Sequence, residues 1–288
     1  MNLLQRVHAA HRFDPTGFRP FYCAGIRLGW VRNDHLPALA RRSEVFVVED
    51  DRVSLSARLA TPAQRTDALA AAMRALAAEG AIRGWRDEAY AIAESFGAPP
   101  LFHIERAAVR MLGLTSCAVH VNGVVGWGRD CRMWVARRSA QKPIDPGLLD
   151  NLVGGGLAAG LSVEQTLVKE GWEEAGIAAD TMRRCIAGAQ LRVSREVTEG
   201  LQSELVFTHD LELPADFTPV NRDGEVAGFR LLPIGEVIAL LRDSDELTLD
   251  ASLVMLEFLL RRGYIGPDEP GRDEFASVIA RPVAAPAS

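Results

Sequence analysis

The chain has 288 residues, of which 48% are hydrophobic and 24% are charged, a composition typical of globular proteins and sufficient for two domains. Its formal net charge is −6 and it contains no basic block, which excludes a nucleic-acid-binding surface as the main function. No run of 18 or more apolar residues is present and the first residues lack the apolar core of a signal peptide, so we expect a cytoplasmic protein with no membrane partner.

The four cysteines do not indicate a metal or disulfide framework. They are widely spaced and contain no Cys-x-x-Cys pair, so we expect reduced, buried thiols at Cys23, Cys117, Cys131 and Cys185. The histidines His103 and His120 lie in apolar surroundings, where a satisfied core histidine is more common than a ligand or base.

The first 114 residues contain no catalytic motif. Residues 44–49 predict a strand, and Thr61 and Pro62 predict the N-cap and first position of a helix that continues to Gly80. A second helix is predicted over residues 102–113, with Gly113 as its C-cap. This half is therefore expected to be a mixed α and β domain.

From residue 115 the pattern changes to strands joined by turns. Residues 116–121 predict a strand, Asn122-Gly123 a hairpin turn, and residues 133–136 a second strand. A loop over residues 141–147 then leads towards a glycine run at residues 154–156.

The glycine run introduces a helix with clear end signals. Ser162 and Gln165 form a capping-box pattern, so the helix is expected to begin near Val163. Gly176 predicts a left-handed C-terminal stop.

Three carboxylates, Glu170, Glu173 and Glu174, are spaced i, i+3 and i+4 on this helix and are predicted to project from one face. A hard divalent ion, which prefers oxygen ligands and often completes its shell with substrate phosphates, would relieve their repulsion. The competing interpretation is a solvated acidic helix face on which Lys169 pairs with Glu173.

The stretch from the glycines to Ile177 resembles the Nudix box, the signature of hydrolases that cleave diphosphate linkages. When the box is aligned on Gly155, its pattern is matched at Glu170, Glu173, Glu174, Gly176 and Ile177. The sequence departs from the pattern at Leu161, Lys169 and Gly171, which stand where the box has Glu, Arg and an aliphatic residue. The resemblance implies that Glu170, Glu173 and Glu174 bind Mg²⁺ or Mn²⁺.

The first half also carries a resemblance. Residues 85–90, 104–108 and 118–123 resemble the N-terminal domain (DUF4743-like) that is fused to a Nudix domain in proteins labelled thiamin-pyrophosphokinase-related. The resemblance implies an α/β (α+β) chain: an α+β N-terminal domain over 1–114 and a Nudix α/β/α sandwich with a mixed sheet over 115–265. Residues 266–288 are rich in Pro and Ala and are expected to form a loosely attached tail. The resemblance also implies thiamin diphosphate, or its oxidised and damaged forms, as the substrate and the monophosphate as the product.

Beyond the box, residues 189–197 and 203–213 predict paired strands, and residues 233–241 and 249–262 predict amphipathic helices. In Nudix folds, a loop between these regions often brings a further glutamate to the metals. Glu225 is the residue we assign to that role, with Glu204 in reserve; a purely structural role for Glu225 is the alternative.

The mechanism expected from these features is metal-assisted hydrolysis of a small-molecule diphosphate, with Glu174 or Glu225 as the base. The candidate substrate-binding residues are Arg137, Arg138, Lys142, Gly155 and Gly156. Two alternatives remain at this point. One is a Nudix pyrophosphatase for ADP-ribose, NADH or coenzyme A; the other is a non-catalytic ligand sensor, which the loss of glutamate at Leu161 favours. The first 114 residues fit either a substrate cap or a homodimer interface.

Overall fold

The computed structural model describes residues 3–279. The helices are α1 (Leu3–Ala10), α2 (Leu36–Ala40), α3 (Pro62–Ala78), α4 (Val163–Ala175), α5 (Ala179–Met182), α6 (Ile234–Asp243), α7 (Leu249–Arg261) and α8 (Arg272–Ile279). The strands are β1 (Phe18–Cys23), β2 (Ile26–Arg32), β3 (Phe46–Val48), β4 (Val53–Leu55), β5 (Ala89–Ile92), β6 (Phe102–Glu105), β7 (Thr115–Val125), β8 (Arg132–Arg138), β9 (Leu149–Asp150), β10 (Val153–Gly156), β11 (Ile186–Val197), β12 (Gly200–Glu212) and β13 (Val226–Pro233). Within these residues, none of the helices has the length and apolar character needed to cross a membrane.

The N-terminal region is built on a small sheet of order β2-β1-β4-β3, in which β1 pairs parallel with β4 and the other pairs are antiparallel. Helix α3 packs its buried Leu69, Met73 and Leu76 into the same core. The predicted start of α3 is confirmed, because Thr61 and Gln64 form a complete capping box.

The predicted helix over residues 102–113 is wrong in its first half. Residues 102–105 form β6, which pairs antiparallel with β5, and two short 3₁₀ turns follow at Arg106–Ala108 and Arg110–Leu112. Gly113 does end this segment in the left-handed conformation, at φ 58°. Pairing with β5 outweighs the local helical pattern, since strand formation depends on a partner that local sequence does not show.

The C-terminal region is a mixed sheet between helices. Its strand order is β11-β12-β7-β8-β13, with β10 added to β7 and β9 to β8, and β12 pairs parallel with β7 while the other pairs are antiparallel. Helix α4 packs on one face, whereas α1, α6 and α7 pack on the other. This confirms the predicted α/β/α sandwich.

The predicted hairpin turn at Asn122-Gly123 is also wrong, because β7 continues through both residues. Asn122 is fully buried and accepts a hydrogen bond from Asn151 at 2.9 Å. A Cβ on Gly123 would lie 2.1 Å from Leu152 Cδ2, so this glycine permits close packing of β7 against the segment before β10.

The two ends of the described chain both join the C-terminal core. Leu3, Val7 and Ala10 of α1 are buried in the core formed by α6 and α7. Residues 272–279 of the predicted tail form α8, and its Val278 and Ile279 pack on the same core, so this part is not loosely attached. The rest of the predicted tail, 280–288, lies outside the described residues.

A close backbone contact joins the N-terminal sheet to the segment that leads into β7. A Cβ on Gly29 of β2 would lie 2.4 Å from the carbonyl oxygen of Leu112 and 2.8 Å from that of Gly113. Because both are backbone atoms, a side chain at this position cannot be accommodated by a rotamer change.

Gly29→Ala is therefore expected to lower the melting temperature by roughly 2–10 °C, as overpacking of about 1–3 kcal/mol does in a chain of this size. The matched control is Gly228→Ala in β13, where an added Cβ meets nothing within 4 Å. A thermal melt followed by circular dichroism measures both variants, and equal melting temperatures would contradict the role given to Gly29.

Candidate active site

Helix α4 carries the predicted acidic residues, and both of its ends lie where the sequence predicts. Gln165 N–H donates to Ser162 Oγ at 3.1 Å, and Ser162 N–H donates to Gln165 Oε1 at 2.8 Å, which completes the capping box. Gly176 follows in the left-handed conformation, at φ 67°. The helix is thus defined at both ends, which sets the direction of each glutamate on it.

Two of the three glutamates lie against strand β10. Gly154 N–H donates to Glu174 Oε2 at 2.8 Å, and Glu174 is only 6% exposed. A Cβ on Gly155 would lie 2.3 Å from the Glu170 carboxyl carbon, so only glycine leaves room for this side chain. The glycine run forms a strand paired with β7, and its lack of side chains admits the carboxylates.

Glu173 lies at the outer edge of this face rather than beside Glu174. Its side chain is 38% exposed and accepts a hydrogen bond from Lys169 Nζ at 2.7 Å. Lys169 Nζ also donates to Glu170 Oε1 at 2.8 Å, so one ammonium joins the two carboxylates. Glu170 and Glu174 are about one turn apart and lie on the buried face of α4, whereas Glu173 lies at its edge.

Within residues 3–279, no group of three Asp, Glu, His or Cys side chains has the spacing of a preformed metal site. The predicted metal ligands are therefore present as a buried pair, Glu170 and Glu174, with Glu173 joined to it through Lys169.

Lys142 and Glu225 meet at this site although they are 83 residues apart in sequence. They form an ion pair in which the Lys142 side chain is only 10% exposed. Burial lowers the pKa of Lys142, and the charge of Glu174 opposes that change. The Lys142 ammonium thus pairs with the predicted base Glu225 and also feels the charge of the buried Glu174 carboxylate.

The two predicted arginines are directed to different places. Arg138 donates to Asp150 at 2.8 Å and to the carbonyl oxygens of Ile144 and Asp145, so it braces the loop that carries Lys142. Arg137 instead donates to Gly147 O at 2.7 Å and pairs with Glu246 at 3.1 Å. Neighbouring residues of a strand point to opposite faces, so Arg138 joins the Lys142 loop to Asp150, whereas Arg137 joins the end of the same loop to Glu246.

Burial dominates the electrostatics of the carboxylates. It raises the pKa of Glu174 to about 8, against the opposing effects of Lys142 and the Gly154 hydrogen bond. It also raises the pKa of Glu170, which the hydrogen bond and charge of Lys169 oppose. The ionised forms of both groups therefore require nearby positive charge.

A hard divalent cation fits this donor set. Carboxylate oxygens are the ligands that Mg²⁺ and Mn²⁺ prefer, and the ammonium groups of Lys142 and Lys169 already lie where positive charge is needed. Glu170, Glu173 and Glu174 are the residues that would hold the ion.

Three residues of the N-terminal region also lie at this site, and sequence reasoning gave them no role. A Cβ on Gly156 would lie 1.7 Å from the Tyr90 hydroxyl oxygen, Arg106 is close enough to Glu170 to affect its pKa, and Arg86 lies 3.8 Å from Glu225. All three fall within the two N-terminal stretches that carry the family resemblance, which was the available signal.

The remaining candidates have structural partners. Glu204, the reserve glutamate, accepts hydrogen bonds from Ser116 at 3.2 Å and from Gln202 at 3.2 Å. His120 is 8% exposed and its Nδ1 lies 2.9 Å from Asn151 Oδ1, which confirms the prediction of a satisfied core histidine.

One departure from the box has a packing explanation. A Cβ on Gly171 would lie 2.5 Å from the sulfur of Met182, so glycine at this position lets α5 approach α4. Leu161, the other notable departure, is half-buried at the loop before α4, where its N–H donates to Ala158 O at 3.1 Å.

Comparisons with known proteins agree with this architecture. A family model described as NUDIX domain matches residues 119–251, and a model described as domain of unknown function (DUF4743) matches residues 1–116.

Two Arabidopsis thaliana proteins are similar over most of the chain. The first, "Nudix hydrolase 24, chloroplastic", is 38% identical over 272 residues, covering 93% of this chain and 74% of that protein. The second, "Nudix hydrolase 20, chloroplastic", is 39% identical over 263 residues, covering 88% and 70%. Since these relatives are more than 30% identical over most of both chains, and the two family models match residues 1–116 and 119–251, the chain belongs to the Nudix hydrolase family and carries a DUF4743 domain before its Nudix domain.

Proposed function

We propose that this Nudix hydrolase cleaves the diphosphate linkage of a small molecule with the help of Mg²⁺ or Mn²⁺. The observation that carries the proposal is the buried pair Glu170 and Glu174, sealed against the glycines of β10 and surrounded by Lys142, Lys169 and Arg106. Carboxylates for a cation and cations for a diphosphate are the two requirements of this chemistry.

In this proposal each residue of the site has a separate role. Glu170, Glu173 and Glu174 would hold the ion, which supplies charge neutralisation at phosphorus and activation of water. Glu174, oriented by the Gly154 N–H, or Glu225, paired with Lys142, would accept the proton. Lys142 would pass from these carboxylates to the incoming phosphate oxygens.

The substrate we propose is thiamin diphosphate or one of its oxidised forms. The resemblance to thiamin-related proteins rests on residues 85–90 and 104–108, and the contacts of Tyr90 and Arg106 with the site support a role for these stretches in substrate choice. ADP-ribose, NADH and coenzyme A are the competing substrates, and ligand sensing without turnover is the competing function.

A substrate panel separates these possibilities. Purified protein with Mg²⁺ should release monophosphate from thiamin diphosphate or its oxidised analogues faster than from ADP-ribose, NADH or coenzyme A. Turnover of the nucleotides alone would contradict the thiamin proposal, and thermal stabilisation without any turnover would indicate a sensor.

The buried glutamates should be required for turnover. Glu170→Gln and Glu174→Gln are expected to lower kcat/KM by about 100-fold or more, because each removes an ionised ligand and leaves the side-chain size unchanged. Glu164→Gln is the matched control on the same helix, since the Glu164 side chain is 71% exposed and pairs only loosely with Arg183, at 3.6 Å.

The same assay on Glu225→Gln assigns the proton acceptor. A loss of about 100-fold in kcat would assign the base to Glu225, whereas a small effect would assign it to Glu174. Wild-type rates in both Glu170→Gln and Glu174→Gln would refute the proposed centre.

Cation binding can be tested by stability alone. Because burial raises the pKa of Glu174 in the folded protein, ionisation of this group costs stability as the pH rises from its ordinary value towards about 8. In chelator at about pH 8, Glu174→Gln should therefore melt above the wild type, and the difference should shrink at about pH 5.

With Mn²⁺ present, the wild type should instead melt above Glu174→Gln, since a bound ion stabilises only the protein that binds it. The wild type should gain melting temperature with rising Mn²⁺, and Glu174→Gln should gain much less. An equal gain in both proteins would place the ion elsewhere.

A further inference from the structure

The hairpin of β5 and β6, which belongs to the DUF4743 domain, lies directly against β10 and the loop that follows it. Ala159 N–H, in the loop that joins β10 to α4, donates to Ala89 O at 2.8 Å. The Tyr90 hydroxyl occupies the space above Gly156 that a Cβ would fill. At the hairpin tip, Phe96 packs on Phe207 of β12 with ring centroids 4.6 Å apart. These three contacts hold the hairpin on the Nudix domain.

Arg106 follows this hairpin and is held over it. Its Nη1 donates to Glu88 Oε2 at 2.7 Å, and its guanidinium lies 5.8 Å from the centre of the Tyr90 ring. Tyr90 is buried, so the guanidinium rests on a fixed surface. Its position is therefore set by two residues of the hairpin itself.

This guanidinium lies near the carboxylates, because the Tyr90 hydroxyl lies over Gly156 and the Glu170 side chain packs against the adjacent Gly155. It is close enough to Glu170 to oppose the burial-driven rise in the pKa of that group, and close enough to Lys142 to reinforce the lowering that burial causes there. Arg106 thus reaches the site from the N-terminal domain.

Arg106 is more exposed than Lys142 and Arg138 and uses fewer of its donors within the protein. Lys142 is 10% exposed and committed to Glu225, and Arg138 is 16% exposed and committed to Asp150 and two carbonyls. The Arg106 side chain is 42% exposed, and among residues 3–279 its hydrogen bond to Glu88 uses Nη1 alone. A guanidinium has five N–H donors in a planar fork, so an accessible edge remains for a second anion.

We propose that Arg106 binds the diphosphate of the substrate, and that the DUF4743 hairpin serves to place this arginine beside Glu170. The ligand class rests on the proposed function, since a planar donor fork next to a cation-binding carboxylate pair suits two adjacent phosphate groups. The alternative is that Arg106 only anchors the hairpin through Glu88 and Tyr90.

The test uses the full-length chain, Mg²⁺ and imidodiphosphate, a pyrophosphate analogue that resists hydrolysis, with affinity measured by calorimetry. Arg106→Met should raise Kd about tenfold or more, and Arg106→Lys should raise it less, because lysine keeps the charge and loses the fork. For whichever substrate the wild type turns over, Arg106→Met should raise KM more than it lowers kcat.

Arg74→Met is the matched control. Arg74 also lies over an aromatic ring, 5.4 Å from the centre of Trp85, and pairs with a carboxylate of the same region, Asp87, at 3.8 Å. Its side chain is 69% exposed on α3. Its Kd for imidodiphosphate should stay within about twofold of the wild type.

Three outcomes decide whether Arg106 binds the diphosphate. A Kd for Arg106→Met equal to that of the wild type, with a lowered melting temperature, would assign Arg106 a purely structural role and overturn the proposal. Absence of imidodiphosphate binding by the wild type would overturn it too. If the wild type hydrolyses nothing in the substrate panel yet Arg106→Met still weakens imidodiphosphate binding, the proposed hydrolysis fails and the assignment of Arg106 stands.

Discussion

The packing of two helix carboxylates against a strand without side chains is the constraint on which the site depends. Glu170 lies where a Cβ on Gly155 would be, and Glu174 takes the hydrogen bond of Gly154. This arrangement removes both carboxylates from water, and burial then raises the pKa of each. A buried pair of acidic groups is stable in ionised form only with positive charge beside it, so the surrounding cations follow from the glycine strand.

Those cations come from three separate parts of the chain. Lys169 is on the same helix, Lys142 is on a loop braced by Arg138, and Arg106 comes from the N-terminal domain. The pairing of Ala159 with Ala89 brings the last of these into reach. The proposed site therefore draws on residues of both domains, and α1 packs in the core of the Nudix domain. Binding of the substrate by Arg106, as proposed above, would give the N-terminal domain a chemical role in addition to a structural one.

Capping and turn residues predict the conformation correctly where a few neighbouring residues determine it. The Ser162 and Thr61 capping boxes and the left-handed glycines at positions 113 and 176 are examples, because each is satisfied by backbone groups within four residues. The same local reasoning failed at Asn122-Gly123 and at residues 102–105. There, a partner strand or a buried side chain from elsewhere in the chain decides the outcome.

Capping residues and spacing by themselves determined both ends of the helix that carries Glu170, Glu173 and Glu174. The family and the α/β/α architecture were implied by the resemblance of this stretch to the Nudix box. Only the tertiary structure decided that Glu173 stands apart from the other two glutamates and that Tyr90 and Arg106 lie beside the site. It also decided that Arg138 and Arg137 join the Lys142 loop to different carboxylates, Asp150 and Glu246. Each of these depends on which face of an element is buried and on what packs against it. The physical reason is that burial and long-range pairing are properties of the folded chain and cannot be read from neighbouring residues alone.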